Sequence, residues 1–113
     1  MSEKLNWSDA KNMLIAYQNN NRALKVDPPN GTEILKGFKV DRADMEWVLN
    51  YTGVVDVIIM PAVKLEDLSK PENEQEFTLI VSGLDDNGDI VEAATIEFLV
   101  PCPRVCPRNF PSK

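Results

Sequence analysis

The chain has 113 residues, of which 43% are hydrophobic and 27% charged, so it is long enough for one domain with a single core and too apolar for wholesale disorder. No apolar run approaches the roughly 20 residues of a membrane span, and the first residues lack the apolar segment of a signal peptide, so we expect a cytoplasmic protein with no membrane partner. The net charge of −6 disfavours nucleic acid as a partner, and the absence of histidine excludes Ser-His and Cys-His nucleophiles and histidine-bound metals.

The first predicted helix begins near Asn6 or Ser8 and ends near Asn20. Asn6 as the N-cap residue places Asp9 at N3, where the positive end of the helix dipole favours a carboxylate. A run of polar amides then ends the apolar periodicity, because asparagine competes for backbone hydrogen bonds. Helical spacing predicts one buried face, which consists of Trp7, Ala10, Met13, Leu14 and Tyr17.

A strand over residues 33–40 precedes the second predicted helix. Asp41 is the predicted N-cap residue, with Asp44 at N3, and Gly53 offers the positive φ that commonly follows a helix end. The buried stripe of this helix is predicted to contain Met45, Val48, Leu49 and Thr52.

Trp47 and Tyr51 are four residues apart beside that stripe, so they share one side of the helix. In one interpretation the pair widens the buried face against a neighbouring element, since aromatic side chains are usually core material. In the other interpretation the pair is an exposed anchor that contacts a partner protein. We keep Trp47 and Tyr51 as candidate partner-contact residues.

Residues 54–63 form a nearly continuous apolar run rich in β-branched side chains, which predicts a central strand. Pro61 has no N–H to donate, so the strand is expected to bend, bulge or become an edge there. Asp56 is expected to face solvent at an end of this strand. Residues 65–76 carry five acids and one base, which predicts a solvated loop.

Two apolar runs, Phe77 to Val81 and Ile90 to Val100, flank Asn87-Gly88 and predict a β-hairpin. A type I′ turn is expected because Asn and Gly both tolerate the positive φ that it requires. The acids beside the turn do not match a calcium loop, whose sixth and twelfth positions would fall on isoleucines. The predicted core face of the second strand consists of Ile90, Ala94, Ile96, Phe98 and Val100.

Residues 101–113 form a tail that differs in composition from residues 1–100, which we predict to be a single α+β domain. The tail holds half of the eight prolines, both cysteines, and three bases without an acid. Fixed φ angles and missing N–H groups predict polyproline-like or turn structure rather than a regular sheet or helix. The candidate site in the tail consists of Cys102, Arg104, Cys106 and Arg108.

The sequence is compatible with three chemical states of the two cysteines. Reduced thiols that pack as small hydrophobic groups fit a reducing cytoplasm. A disulfide needs Cα atoms within about 7 Å, whereas an extended polyproline segment separates Cys102 and Cys106 by about 12 Å, so the chain would have to turn between them. Metal binding or intermolecular thiol pairing needs a second chain or carboxylates, because two cysteines cannot complete a tetrahedral metal site.

Three stretches carry a resemblance to known proteins: Trp7 to Tyr17, Phe38 to Leu49, and Cys102-Pro103 with Cys106-Pro107. Together they resemble a group of small uncharacterised Bacteroidetes-type bacterial proteins with a C-terminal Cys-Pro-rich tail. The tail departs from the Cys-Pro-Pro-x-Cys form of that group by one additional residue between the cysteines. Because the group has no known activity, the resemblance implies no functional residue.

The predicted element order favours an α+β fold, with two helices packed on one face of a mostly antiparallel or mixed four-stranded sheet and an irregular Pro/Cys-rich tail. We predict a non-enzymatic protein-interaction module without cofactor or metal, whose partner is another protein or a second copy of the chain. The alternative is a dithiol redox or metal-responsive protein that uses Cys102 and Cys106. A carboxylate enzyme built on Asp56 or Glu92 is disfavoured, because no acids are paired at a meaningful spacing.

Overall fold

The computed structural model describes residues 4–25, 33–98, 100–102 and 107–111, with the backbone alone for 100–102. The predicted α+β class is confirmed. The helices and strands are α1 Trp7–Gln18, β1 Gly37–Lys39, α2 Arg42–Leu49, β2 Asp56–Val63, β3 Phe77–Leu84, β4 Ile90–Phe98 and β5 Val100–Cys102. Two 3-10 turns, Leu65–Asp67 and Glu72–Glu74, lie between β2 and β3.

The strands form two antiparallel sheets, one with the order β2-β3-β4 and the other made of β1 and β5. The described strands therefore do not form the single four-stranded sheet that was expected, because the chain after β4 pairs with β1. β2 was predicted to be central, and this is wrong: β3 is the central strand and β2 is an edge. An edge position is nevertheless one of the three outcomes expected from Pro61, since a residue without an N–H is tolerated at an edge.

The core lies between α2 and the central part of the three-stranded sheet. Val48, Val81 and Phe98 form its buried cluster, each at most 6% exposed. The ring of Phe38 packs on that of Phe98 with 6.4 Å between the ring centroids. Full burial of a side chain of this size stabilises the fold by about 1.5–3 kcal/mol, so this small cluster holds α2 on the sheet.

Part of the predicted core is buried and part is not. Val48, Ala94 and Phe98 are buried, as predicted. The helix α2 has only eight residues, and its buried stripe is correspondingly narrow. The predicted members that lie at the surface instead are Leu49, Thr52 and Ile90; the side chain of Val100 lies outside the described residues.

Ile90 is exposed because β4 contains a bulge. Ser82 pairs with Thr95, whereas the next residue, Gly83, pairs with Val91, so residues 92–94 have no opposite partner in β3. An odd number of inserted residues moves the following side chains to the other face of the sheet. The alternation that predicts Ile90 in the core therefore holds only for the part of β4 after the bulge, residues 95–98.

The first helix has the predicted N-terminus but not the predicted buried face. The Asn6 side chain accepts a hydrogen bond from the Asp9 N–H at 2.9 Å. Trp7 and Met13 are 57% and 61% exposed, whereas the polar Gln18 is buried. Tyr17 and Gln18, at the C-terminal end of the helix, hydrogen-bond to the Leu35 and Pro111 carbonyls, whereas Trp7 and Met13 stay at the surface.

The β3–β4 hairpin is confirmed, but its turn is not of type I′. Among the described residues only glycines have positive φ, and here that is Gly88 at 82°. The Asp85 carboxylate accepts hydrogen bonds from the N–H groups of Asn87 and Asp89 at 2.9 and 3.0 Å. This side-chain contact holds the turn without a positive φ at Asn87.

Candidate functional site

The outward side of α2 carries a groove of about 530 Å³. We call it the aromatic groove, and it is lined by Glu46, Trp47, Asn50, Tyr51 and Thr52. Trp47 and Tyr51 meet edge to face, with ring centroids 5.4 Å apart and an angle of 72° between the rings. Trp47 is 49% exposed, so the pair does not simply extend the buried face of α2.

The groove is placed by the helix and by the turn that follows it. Val48 points into the core, so its chain neighbour Trp47, about 100° away around the helix, lies to the side. The Tyr51 N–H donates to the Val48 carbonyl at 3.2 Å, and the Val54 N–H donates to the Tyr51 carbonyl at 3.1 Å. Gly53, with a φ of 89°, then turns the chain toward β2, as its predicted position after the helix requires.

Glu46 gives the aromatic groove a negative charge. Its carboxylate lies 3.3 Å from the Arg42 guanidinium, and both side chains are exposed. An exposed pair of this kind contributes only about 0.3–0.5 kcal/mol, so an external cation can take the place of Arg42. A carboxylate beside an indole ring suits a cation, because the ring face attracts positive charge and the carboxylate accepts its N–H groups.

A cluster of charged side chains lies in the loop between β2 and β3. Asp67 is only 1% exposed and accepts a hydrogen bond from the Glu76 N–H at 2.8 Å. Its carboxylate lies 2.9 Å from the Lys70 ammonium, and Lys64 lies 3.2 Å from Glu76. The prediction of a solvated loop is therefore wrong at Asp67, whose burial no local sequence pattern indicates.

Asp67 gives the protein a pH-dependent element of stability. The hydrogen bond from Lys70, and then that from the Glu76 N–H, lower the pKa of Asp67 below its usual 3.8. A lowered carboxyl pKa contributes stability that is complete above the unfolded-state value and is lost as the pH falls through the folded-state value. We expect Asp67→Asn to lower the Tm by several degrees at pH 7, with a difference from wild type that shrinks below pH 3.8.

The matched control for this thermal series is Asp86→Asn, which changes an exposed acid in the hairpin turn. This variant should have the wild-type Tm at pH 7. An Asp67→Asn protein as stable as wild type at pH 7 would contradict the stabilising role of the Asp67–Lys70 contact.

The start of the tail is part of a sheet. Pro101 pairs with Phe38 and Cys102 with Gly37, so the prediction that the tail excludes regular sheet is wrong for these residues. A two-stranded sheet has two open edges, where a proline nitrogen is tolerated. Arg104 and Cys106 lie outside the described residues, as does the side chain of Cys102, and the dithiol site and the boundary at residue 100 stay predictions.

The end of the tail contacts α1. The Gln18 side-chain amide donates to the Pro111 carbonyl at 2.8 Å in a buried position. The Lys36 ammonium lies 5.9 Å from the centroid of the Phe110 ring, within the range of a cation–π contact. Arg108 is exposed in the turn before Phe110, and it is not among the residues that line the aromatic groove.

Comparisons with known proteins add no assignment. A scan of protein-family models found no match to this chain, and searches of curated proteins and of solved structures found none either. The resemblance to Bacteroidetes-type proteins therefore stays a prediction. None of the helices in the described ranges is long and apolar enough to cross a membrane. Within those same ranges no cluster of three or more His, Cys, Asp or Glu side chains is arranged to hold a metal ion.

Proposed function

We propose that this protein is a non-enzymatic interaction module that binds an arginine-containing segment of a partner protein in the aromatic groove. The observation that carries the proposal is the half-exposed Trp47, held edge to face on Tyr51 beside the Glu46 carboxylate. The chemistry of these three side chains matches a planar cation, which can stack on the indole and donate to the carboxylate at once.

The exposed half of Trp47 supplies enough apolar area to matter in binding. An aromatic side chain buries roughly 150–250 Å², and 49% of the Trp47 surface is accessible in the free protein. At about 25 cal/mol per Å², covering this half contributes about 2–3 kcal/mol. Because the ring already rests on Tyr51, little side-chain entropy is lost when a partner docks.

Charge supports a basic partner. The protein has a net charge of −6. The exposed Asp44 lies on the same short helix as Glu46, and the exposed Asp41 is the N-cap residue of that helix. A negative surface speeds the approach of a positive segment and disfavours acidic competitors. Arginine fits better than lysine, because its guanidinium stacks on aromatic rings and binds a carboxylate through two parallel hydrogen bonds.

The test is the binding of a fluorescein-labelled Gly-Ser peptide that contains arginine, followed by anisotropy. We expect Trp47→Ala to weaken binding by at least about 10-fold, as removal of a central aromatic anchor does at protein interfaces. Glu46→Gln should weaken binding less, and a peptide with glutamate in place of arginine should not bind.

Trp7→Ala is the matched control, because Trp7 is also exposed but lies on α1. It should bind the arginine peptide as wild type does. Equal losses in Trp47→Ala and Trp7→Ala, or no loss in either, would mean that the peptide recognises general negative charge rather than the aromatic groove.

A further inference from the structure

We propose that β2 is a dimer interface, at which it pairs antiparallel with β2 of a second copy and joins the two three-stranded sheets into one. This inference does not depend on the aromatic groove, which uses other residues. It rests on the open edge of β2, on the side chains along that edge and on the charges at its ends.

Within the described parts of the chain, the backbone of β2 has an open hydrogen-bonding edge. Among the described strands, β2 pairs only with β3. The Lys64 N–H donates to the Glu76 carbonyl at 3.0 Å, and backbone direction alternates along a strand, so residues 57, 59, 61 and 63 direct their polar groups away from β3. Pro61 is in this outward set, where its missing N–H costs no bond to β3.

The side chains of β2 offer no protection against pairing apart from Pro61. No charged residue lies between Asp56 and Lys64, and Ile58 and Ile59, on opposite faces, are 38% and 53% exposed. The opposite edge of the same sheet, β4, is interrupted by its bulge and carries Glu92 and Glu97. Charged side chains and bulges are the features that prevent natural edge strands from pairing with another chain. Of the two edge strands, β2 is therefore the one whose sequence favours pairing.

Charge complementarity selects a second copy as the occupant. When Met60 lies opposite Met60 of the second copy, the antiparallel register places Asp56 of each copy opposite Lys64 of the other. Opposite charges directly across strands stabilise pairing. The Lys64 ammonium is 3.2 Å from the Glu76 carboxylate. Because an ammonium group has three N–H donors, it can also donate a hydrogen bond to a second carboxylate.

The same register satisfies the outward N–H groups. Residue 57 then faces residue 63 of the second copy, and residue 59 faces residue 61. The N–H groups of Val57, Ile59 and Val63 each meet a carbonyl group. Because Pro61 has no N–H, the Ile59 carbonyl that faces it is the one acceptor in each copy without a hydrogen bond.

The first test combines mass and cross-linking. Light scattering over a concentration series should give the mass of a dimer for the wild-type chain. In a Cys102→Ser, Cys106→Ser background, Met60→Cys should form a covalent dimer on mild oxidation, because the two Cα atoms of a non-hydrogen-bonded pair are about 4.5 Å apart, within disulfide range. Ile58→Cys is the matched control, since it lies opposite Ala62 and should not cross-link.

A surface charge variant tests the same pairing without touching the core. Asp56→Lys places like charges opposite each other, and we expect the dimer dissociation constant to rise at least about 10-fold, since like charges directly opposite are destabilising. Asp86→Lys makes the same charge change far from β2 and should leave the dimer intact.

Two results would overturn the proposal. One is a monomer mass at every concentration of the wild-type chain, which would leave the β2 edge to a foreign strand or to none. The other is equal cross-linking of Met60→Cys and Ile58→Cys, which indicates random collision instead of a fixed register.

Discussion

Phe98→Ala is expected to lower the free energy of unfolding by about 3–5 kcal/mol. Phe98 is 6% exposed, packs on Phe38 and belongs to the same cluster as Val48. Few other side chains are available to fill the cavity, because the described core is small. Since a domain of this size has a total stability of about 5–15 kcal/mol, urea unfolding followed by circular dichroism should show a large fall in the midpoint.

The control for this prediction is the same substitution at a more exposed phenylalanine of the same sheet. Phe77 is the first residue of β3 and is 41% exposed, so Phe77→Ala should cost clearly less than Phe98→Ala. Equal losses of stability in the two variants would contradict the placement of the core between α2 and the sheet.

Gly83→Ala is expected to cost about 1–3 kcal/mol, the usual penalty for overpacking. A Cβ atom at Gly83 would lie against both methyl groups of Val54. Val54 packs directly over the backbone of β3 because glycine leaves that space. A second substitution, Val54→Ala, should restore much of the stability lost in Gly83→Ala, and urea unfolding of the four-member cycle measures the coupling between the two sites.

Gly37→Ala is the control for this cycle, since a Cβ atom there meets nothing within 4 Å. It should change stability little. If Gly83→Ala is as stable as Gly37→Ala, or if Val54→Ala fails to relieve the loss, the close contact between Val54 and β3 is not a determinant of stability.

The starts of the two helices could be predicted because they depend on local chemistry. Asn6 caps α1 through its side chain as predicted, whereas Asp41 occupies the predicted N-cap position of α2 without a side-chain capping hydrogen bond. Gly53 has the predicted positive φ, but α2 ends at Leu49, before Thr52, which was predicted to belong to it. Capping involves residues within one turn of each other, so the sequence pattern contains the whole interaction. The hairpin was predictable for the same reason, although the Asp85 side chain changes its turn type.

The strand order could not be predicted, because it depends on contacts between distant residues. A run as apolar as 54–63 is typical of a central strand, yet β2 is an edge whose Ile59 is 53% exposed. The bulge that exposes Ile90 has no signature in the alternation of β4. An apolar pattern indicates that a strand can be buried. Whether the strand is buried depends on its position in the sheet.

The candidate site was predictable only in part. Helical spacing brings Trp47 and Tyr51 together, and the structure confirms that they touch. Trp47 is 49% exposed because none of the described elements covers that side of α2, and helical spacing does not show this. The contact of Gln18 with Pro111 joins residues 93 positions apart, so it has no local signal. Asp67 contacts Lys70 and Glu76, which are three and nine residues away, but these spacings do not show that the Asp67 side chain is buried.

The binding of a cation in the aromatic groove is tested most directly by the two tryptophan indole signals in a ¹H–¹⁵N NMR spectrum. The chain has two tryptophans, so Trp47 reports on the groove and Trp7 serves as an internal control. On titration with the arginine-containing Gly-Ser peptide, the Trp47 indole N–H signal should shift and saturate while that of Trp7 stays in place. A titration in which neither signal moves, or in which both move alike, would contradict a specific site for a basic partner on α2.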